Sequence, residues 1–251
     1  MQQAEFDGEG SRIRWTETPG EEPARVFVHG LGSMSTVYHA HIAAHPELAG
    51  RRSLFVDLPG HGISDRPAHF GYTLEDHADA LAAALDAARL TGAELVAHSM
   101  GGSVAIVLAH RRPDLVSRLV LTEANLDAFP PQSAASREIA SYEADEFLAF
   151  GHARVLERVG PLWAATMRLA DPRALHRTSR GLVRGSDPAM RTLLEGLPID
   201  RVYLQGELSG ELAGKEGLEE AGVRVVTVPG AGHNVMFDQP DAFVATVAGQ
   251  G

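Results

Sequence analysis

A serine stands where a strand-like run meets a helix-like run. Ser99 follows the strand-like residues 94–97, with the small residue Ala97 two positions before it and Gly101 two positions after it. This spacing is typical of a sharp strand-to-helix turn, whose strained backbone leaves room only for small neighbours. Such a turn lifts the hydroxyl out of the sheet and directs the N–H of Met100 toward the same point. The segment predicts a nucleophilic serine, although an idle serine in a tight turn gives the same pattern.

A His-Gly turn follows the apolar residues 26–28 and contains His29, Gly30 and Leu31. A glycine lets the backbone approach a bound molecule closely, so we expect Gly30 to contact substrate. The N–H groups of Leu31 and Met100 would then bind the oxyanion that forms when a serine attacks a carbonyl carbon. Losing one such donor costs about 3–4 kcal/mol. The alternative interpretation is an ordinary glycine-rich turn after a strand.

One of the 12 histidines, His233, lies on a glycine-rich loop after the strand-like residues 223–228. Imidazole titrates near neutral pH, so it can take the proton of a hydroxyl and return it to a leaving group. A loop at a strand end can carry such a side chain across the edge of a sheet. His233 is therefore the predicted general base for Ser99, whereas most other histidines are expected in the core or on the surface.

Residues 55–58, apolar except for Asp57, run into a Pro-Gly-His-Gly turn at residues 59–62. Together with the turns at Gly30 and Ser99 and the loop at His233, in this order, the segment resembles the α/β-hydrolase fold family over nearly the whole chain. The resemblance implies that fold and a triad of serine, acid and histidine, but no particular substrate. One mild departure is Ala97, where the family usually has a glycine.

The triad acid is the main problem that the sequence poses. The family usually places it on the loop after the seventh strand, which corresponds here to residues 201–205. Ser209 occupies that position, and a serine cannot carry the negative charge that orients the base and stabilises the imidazolium. Glu123, Glu207 and Asp127 are the carboxylates that could replace it.

Glu123 is the favoured acid because it ends the strand-like residues 118–122. Neighbouring parallel strands end at the same edge of an α/β sheet, and a strand end holds a side chain more rigidly than a loop does. A minority of the family resembles this arrangement, with the acid after the sixth strand, as in the fungal zearalenone lactonases. We therefore predict the triad Ser99, His233 and Glu123, with Glu207 as the main competitor.

These residues need a scaffold that brings strand ends together. Strand-like runs separated by helix-length segments predict an α/β-hydrolase fold with a mostly parallel, eight-stranded sheet and helices on both faces. Residues 4–17 should form an initial β-hairpin. The clearest helix begins after Thr73, which can form a capping box with Asp76, and runs to about Leu90, with Gly92 ending it.

The alternation of strands and helices stops after Glu123. We expect residues 1–125 and 199–251 to form the core and residues 126–198 to form a helical cap, inserted between the sixth and seventh strands. Caps of this kind close over a substrate and exclude water.

Within the expected cap, helical segments are predicted at residues 135–150, 153–168 and 188–195. Aromatic side chains there, Phe129 and Trp163 among them, are mostly expected to pack between cap and core. Trp163 is the one that we assign to a wall of the substrate pocket, since an aromatic on a mobile lid is a common anchor.

Composition excludes several classes of function. The 251 residues are 44% hydrophobic, which suffices for one domain with a sizeable core. The net charge of −11 and the single lysine, Lys215, argue against a nucleic-acid partner, which needs clustered cations. No phosphate-binding or dinucleotide-binding glycine motif is present, so no cofactor is expected.

Cellular context is suggested by what the sequence lacks. There is no cysteine and therefore no disulfide framework, which fits the cytoplasm. The polar, acidic N-terminus does not resemble a signal peptide, and no apolar run is long enough to cross a membrane. We expect a cytoplasmic protein with no membrane partner.

Three histidines, His39, His41 and His45, cluster after the turn at Gly30. On a helix His41 and His45 share a face, but His39 does not join them, and no carboxylate completes a zinc motif. We predict solvated histidines on a helix and no metal site.

The combined pattern predicts a serine hydrolase that cleaves a carboxylic ester or lactone through an acyl-enzyme. Apolar residues near the expected site favour a mid-sized apolar small molecule as substrate, with Gly30, Trp163 and Met236 as substrate-binding residues. A C–C bond hydrolase or a thioesterase would carry the same triad. A receptor-like ligand-binding module with residual turnover is the alternative from a different class.

Overall fold

The computed structural model describes residues 1–127 and 134–249. Eight strands of this part of the chain form one sheet in the order β1-β2-β4-β3-β5-β6-β7-β8. Their bounds are β1 (Gln2–Glu5), β2 (Arg12–Thr18), β3 (Glu21–Val28), β4 (Arg51–Asp57), β5 (Ala93–His98), β6 (Val116–Thr122), β7 (Asp200–Gly206) and β8 (Arg224–Val228). β2 is antiparallel to both of its neighbours and the other pairs are parallel. The predicted mostly parallel, eight-stranded sheet is confirmed.

Helices pack on both faces of this sheet. Those outside the segment between β6 and β7 are α1 (Ser35–Ala43), α2 (Leu74–Ala87), α3 (Met100–Arg111), α10 (Lys215–Glu220), α11 (Val235–Asp238) and α12 (Pro240–Val247). Alternate residues of the central strands face opposite cores, as the two-residue period of a strand requires. Leu95 and Ala97 of β5 join a core with α2 and α3, whereas Val96 joins a core with α1 and α12. Two buried faces explain why these parallel strands are almost continuously apolar.

The predicted N-terminal hairpin is present as β1 and β2, with Gln2 opposite Trp15. The predicted capping box of α2 is present too, because Thr73 and Asp76 each bind the other's backbone N–H. The end of α2 differs from the prediction. Arg89, not Gly92, takes the positive φ of 57° that ends the helix, and the N–H of Leu90 returns to the carbonyl of Leu85 at 3.0 Å. This hydrogen bond closes a Schellman motif.

The segment between β6 and β7, here called the helical insertion, is made of short helices in its described part. These are α4 (Ala134–Ser141), α5 (Ala144–Glu146), a π-helical turn (Phe147–Gly151), α6 (His152–Arg158), α7 (Pro161–Met167), α8 (Pro172–Arg184) and α9 (Met190–Gly196). α8 has no counterpart among the predicted helical segments, although Asp171 caps it by accepting from the N–H of Arg173, and Pro172 occupies its first turn. Phe129 lies outside the described residues.

No helix in the described ranges combines the length and the apolar character that crossing a lipid bilayer would require. The division into core and cap stays a prediction, although the helical character of residues 134–196 agrees with it.

Candidate active site

Ser99 lies at the turn between β5 and α3, with φ 51° and ψ −122°. A positive φ is costly for a residue with a side chain and persists only where its surroundings enforce it. Two glycines make the turn possible. A Cβ on Gly101 would overlap the carbonyl oxygen of His29, and a Cβ on Gly102 would overlap the side chain of Ala124. The strained strand-to-helix turn predicted around Ser99 is therefore present.

Ser99 and His233 line the same cavity, whose volume is about 30 Å³. The remaining lining residues are Gly30, Leu31, Ser33, Tyr38, His98, Ser136, Trp163 and Asn234. None of the described lining residues is Arg, Lys, Asp or Glu, so the wall offers hydroxyls, an amide, imidazoles and apolar surface. Such a wall suits an uncharged group, because an unpaired charge in a closed cavity is expensive.

Glu123 follows β6 directly and is fully buried, with a positive φ of 51°. Its Oε1 accepts a hydrogen bond from the N–H of Gly206 at 2.7 Å. Its Oε2 lies 3.5 Å from Nδ1 of His233, and no hydrogen bond to this oxygen is found within the described residues. One oxygen is thus fixed by the neighbouring strand, while the other faces the imidazole. A carboxylate at Nδ1 fixes the tautomer in which Nε2 can accept a proton.

The alternative acids are engaged elsewhere. Glu207 is exposed, and its Oε2 accepts from the N–H of Gly230 at 3.0 Å, so it closes the loop before His233. Asp127 is exposed and forms an ion pair of 2.7 Å with Arg191. The structure therefore brings Glu123, and neither of these two, against the imidazole.

The first predicted oxyanion donor is Met100, the first residue of α3. The first amides of a helix have no partner within the helix, so this N–H is available to a ligand at the helix N-terminus. Met100 itself is fully buried. Its backbone position is fixed by the Ser99 turn, because the N–H of Gly102 returns to the carbonyl of Ser99 at 2.9 Å.

The second predicted donor, Leu31, belongs to the oxyanion loop, here defined as residues 29–33. His29 is buried, and its Nε2 accepts from the N–H of Leu58 at 3.0 Å. Its Nδ1 therefore carries the proton and donates to the carbonyl of Gly30 at 2.7 Å. The carbonyl of Gly30 and the N–H of Leu31 share one planar peptide unit, so holding the carbonyl also aims the N–H.

Of the three residues predicted to bind substrate, two line the cavity and one does not. Gly30 lines the cavity, and a Cβ there would lie 3.1 Å from Cβ of Ser99, while its contact with substrate stays a prediction. Trp163 also lines the cavity and donates its indole N–H to the carbonyl of Leu31 at 2.7 Å. Met236 lies on α11, is fully buried in the core that also contains residues of α1 and α12, and does not line the cavity.

His98 is a site residue that sequence analysis missed. It is buried, lines the cavity, and its Nε2 lies 3.0 Å from the carbonyl oxygen of His233. Burial lowers the pKa of His98 well below its ordinary value, so the ring is neutral and its Nε2–H holds the backbone of His233. The only signal in the sequence was its position directly before Ser99.

The histidines after the oxyanion loop are not all solvated. His39 is fully buried and stacks on Phe27 with ring centroids 5.3 Å apart, which corrects the prediction for this residue. Its side of α1 packs on the sheet. His41 is exposed and donates to the carbonyl of Met236 at 3.0 Å, and His45 is half-buried.

Comparisons with known proteins agree with this architecture. A family model described as alpha/beta hydrolase fold matches residues 23–181. The curated protein 2-(acetamidomethylene)succinate hydrolase of Mesorhizobium japonicum is 30% identical over 242 residues, which cover 88% of this chain and 85% of the relative.

Two solved structures illustrate the shared fold. An enol-lactonase from Burkholderia xenovorans LB400 superposes with a TM-score of 0.79 at 20% identity, covering 99% of this chain and 98% of that chain. A thermophilic esterase from Thermogutta terrifontis gives a TM-score of 0.78 at 21% identity, covering 98% of this chain and 96% of that chain. At these identities the likeness concerns the fold and not the substrate.

Proposed function

Because the chain belongs to the α/β-hydrolase fold family and is an enzyme of that family, we propose that it is a serine hydrolase. Its substrate would be a carboxylic ester or lactone of a mid-sized apolar molecule. The triad would consist of Ser99 as nucleophile, His233 as general base and Glu123 as acid. Leu31 and Met100 would donate the hydrogen bonds of the oxyanion hole. The helical insertion would act as a cap, and the enzyme would work in the cytoplasm.

The reaction would proceed in two steps. Ser99 Oγ attacks the carbonyl carbon while its proton passes to Nε2 of His233, and the amides of Leu31 and Met100 bind the resulting oxyanion. Collapse of the tetrahedral intermediate breaks the C–O bond, and the imidazolium returns its proton to the leaving alcohol. Water then attacks the acyl-enzyme with the same base, which releases the acid and restores Ser99.

One observation carries the proposal: the unpartnered Oε2 of the buried Glu123 lies 3.5 Å from Nδ1 of His233, whose ring lines the Ser99 cavity. A buried carboxylate oxygen without a partner is expensive. Orientation of a catalytic imidazole gives that oxygen a function, because the imidazolium formed during acyl transfer would neutralise it.

The cavity wall limits the substrate. Since its described lining residues carry no Arg or Lys, we expect an uncharged acyl group at the serine. The volume of about 30 Å³ is far below the roughly 300–1,000 Å³ of small-molecule sites. A mid-sized substrate therefore enters only when the wall formed by the helical insertion moves, which is the usual behaviour of a cap.

A substrate panel tests the proposal. Wild type, Ser99→Ala and the control Ser117→Ala would be assayed with p-nitrophenyl acetate and butyrate, a series of lactones, a thioester and a β-diketone. We expect turnover of uncharged esters or lactones that falls by about 10⁴-fold or more in Ser99→Ala and is unchanged in Ser117→Ala, whose exposed hydroxyl binds the carbonyl of Gly92.

Other outcomes would replace the proposal. Turnover of the β-diketone or the thioester alone would favour a C–C bond hydrolase or a thioesterase. Tight binding of a lactone without turnover would favour a receptor-like module. Equal turnover by wild type and Ser99→Ala would remove Ser99 from the mechanism.

A further inference from the structure

Trp163 connects the helical insertion to the oxyanion loop by a single directed hydrogen bond. Its indole N–H lies on α7 and donates to the carbonyl of Leu31 at 2.7 Å. Indole nitrogen is a donor only, so this contact has one polarity and one geometry. The residue whose carbonyl accepts this bond is also the residue whose N–H is the second proposed oxyanion donor.

The backbone of the loop also packs directly on α7. Gly32 has a φ of 68°, and a Cβ there would lie 2.9 Å from Nε1 of Trp163 and 3.0 Å from Cε of Met167. Only a glycine permits both the positive φ and this close approach. The loop and the helix are thus fitted to each other at the peptide unit between Leu31 and Gly32.

The two peptide units on either side of the Leu31 Cα are therefore held from different parts of the molecule. The unit before it is fixed from the core, through His29 and the carbonyl of Gly30. The unit after it is fixed from the helical insertion, through Trp163. The orientation of the Leu31 N–H depends on both, because rotation of either unit changes the φ and ψ that join them.

Movement of α7 would break the second of these two contacts. The small cavity, which Trp163 lines, must widen before a mid-sized substrate can enter, and Trp163 is only half-buried. We propose that Trp163 is a positioning residue that couples closure of the helical insertion to the geometry of the oxyanion hole. The Leu31 N–H is then aimed at the oxyanion only when α7 lies on the loop. This inference rests on the proposed function.

Trp163→Phe tests the inference, because phenylalanine keeps an aromatic wall and removes the donor. We expect kcat to fall by about 5- to 50-fold while KM stays within about 3-fold, a loss smaller than the 10²- to 10³-fold caused by deleting an oxyanion donor outright. Leu162→Ala is the matched control, since Leu162 is the exposed neighbour on α7 and should leave kcat unchanged.

A second measurement separates positioning from a purely structural role. A trifluoromethyl ketone forms a tetrahedral adduct whose oxygen occupies the oxyanion position, whereas the alcohol product of an ester has no carbonyl oxygen to place there. Trp163→Phe should lower the affinity for the ketone by the same factor by which it lowers kcat/KM, and it should leave the affinity for the product unchanged. Gly32→Ala, which disturbs the same contact from the loop side, should repeat this pattern if Trp163→Phe does not fold.

The possible failures are distinguishable. A wild-type enzyme whose turnover is unaffected by Ser99→Ala would defeat the proposed function itself. Normal dependence on Ser99, together with a Trp163→Phe variant that keeps its kcat and its ketone affinity, would defeat only the inference. Equal weakening of ketone and product would make Trp163 an ordinary wall of the pocket.

Discussion

Each end of the parallel sheet buries one glutamate, and the two are compensated in opposite ways. At the amino end, Glu94 of β5 forms ion pairs with Arg118 at 2.6 Å and with Arg25 at 3.3 Å. At the carboxyl end, Glu123 has no arginine partner in the described chain and faces the imidazole of His233. Glu94 is 3% exposed and Glu123 is 0% exposed, so burial alone does not distinguish them.

The difference separates a structural carboxylate from a proposed catalytic one. Arginine is charged at every pH of interest, so the pairs of Glu94 are permanent and hold β3, β5 and β6 together. In the proposed mechanism the imidazole of His233 carries a charge while it holds the proton of Ser99, so Glu123 has an ionic partner at that step. The same residue type therefore contributes to stability at one end and, by our proposal, to chemistry at the other.

Of the two buried glutamates, Glu123 should matter more for chemistry, and Glu123→Gln tests this. An amide keeps the size of the side chain but removes the charge that stabilises the imidazolium, so kcat should fall by about 10³- to 10⁴-fold with little change in Tm. Steady-state kinetics and thermal unfolding measure the two quantities. Glu207→Gln is the matched control and should lose less than about 3-fold. The opposite ranking would make Glu207 the acid.

Glu94→Gln should lower stability and leave kcat nearly unchanged, the reverse of Glu123→Gln. This change leaves the buried Arg25 without its carboxylate, whereas Arg118 keeps its ion pair with Asp200 at 2.7 Å. It should lower the free energy of unfolding by about 3–5 kcal/mol, because one uncompensated buried charge costs more than the pair contributes. Urea denaturation measures this loss, and kcat of the folded fraction should stay near the wild-type value. The comparison breaks down if Glu94→Gln remains as stable as wild type.

Acid should weaken the carboxyl end of the sheet in particular. Burial lowers the pKa of His29 to about 4 and the pKa values of His39 and His61 to about 3. These rings are neutral when folded but bind protons when unfolded, so stability is complete above about pH 6.5 and falls as pH drops toward 3–4. Each ring adds a slope of up to about 1.4 kcal/mol per pH unit.

Urea midpoints at pH 7.5, 6.0 and 5.0 test this prediction. His61→Asn keeps a donor for the carbonyl of Pro59 and should flatten the decline, whereas His45→Asn, a half-buried control at the end of α1, should not. A urea midpoint that does not change over this range would show that the buried imidazoles are not what limits stability in acid.

The smallest effects on stability should come from removing helix caps. One cap lies on a helix that packs on the sheet and the other lies in the helical insertion, so the two substitutions compare these regions. Thr73→Ala removes the cap of α2, which packs on the sheet, and Asp171→Ala removes the cap of α8 in the helical insertion. Each substitution should destabilise its helix by about 1 kcal/mol. Thr73→Ala should lower the global urea midpoint. Asp171→Ala should raise amide hydrogen exchange within the insertion more than it lowers that midpoint. Equal global losses would mean that both regions unfold together.

Local patterns predicted much of this arrangement. The turn at Ser99 and the capping box at Thr73 each depend on residues a few positions apart, so the sequence carried their full signal. The position of Glu123 followed from one extra rule, that parallel strands end at a common edge. The predicted end of α2 was wrong because Arg89 adopts the positive φ that the helix-ending rule assigns to glycine.

Other features had no local signal. Met236 was expected at the pocket because it is near His233 in sequence, but α11 turns it into the core. His98 was missed because its hydrogen bond is to the backbone of His233, far along the chain. The contact of Trp163 with Leu31 likewise joins two elements whose meeting no spacing rule predicts.

The sequence by itself determined the type of turn, the alternation of strands and helices, and the list of groups able to perform acyl transfer. Steric limits on small residues and the periods of strand and helix act over a few positions, so they can be read directly. Only the tertiary structure decided which carboxylate meets His233 and which side chain holds the oxyanion loop. Both contacts join segments that are remote in sequence. The distances between such segments are set when the strands pair and helices pack on both faces of the sheet.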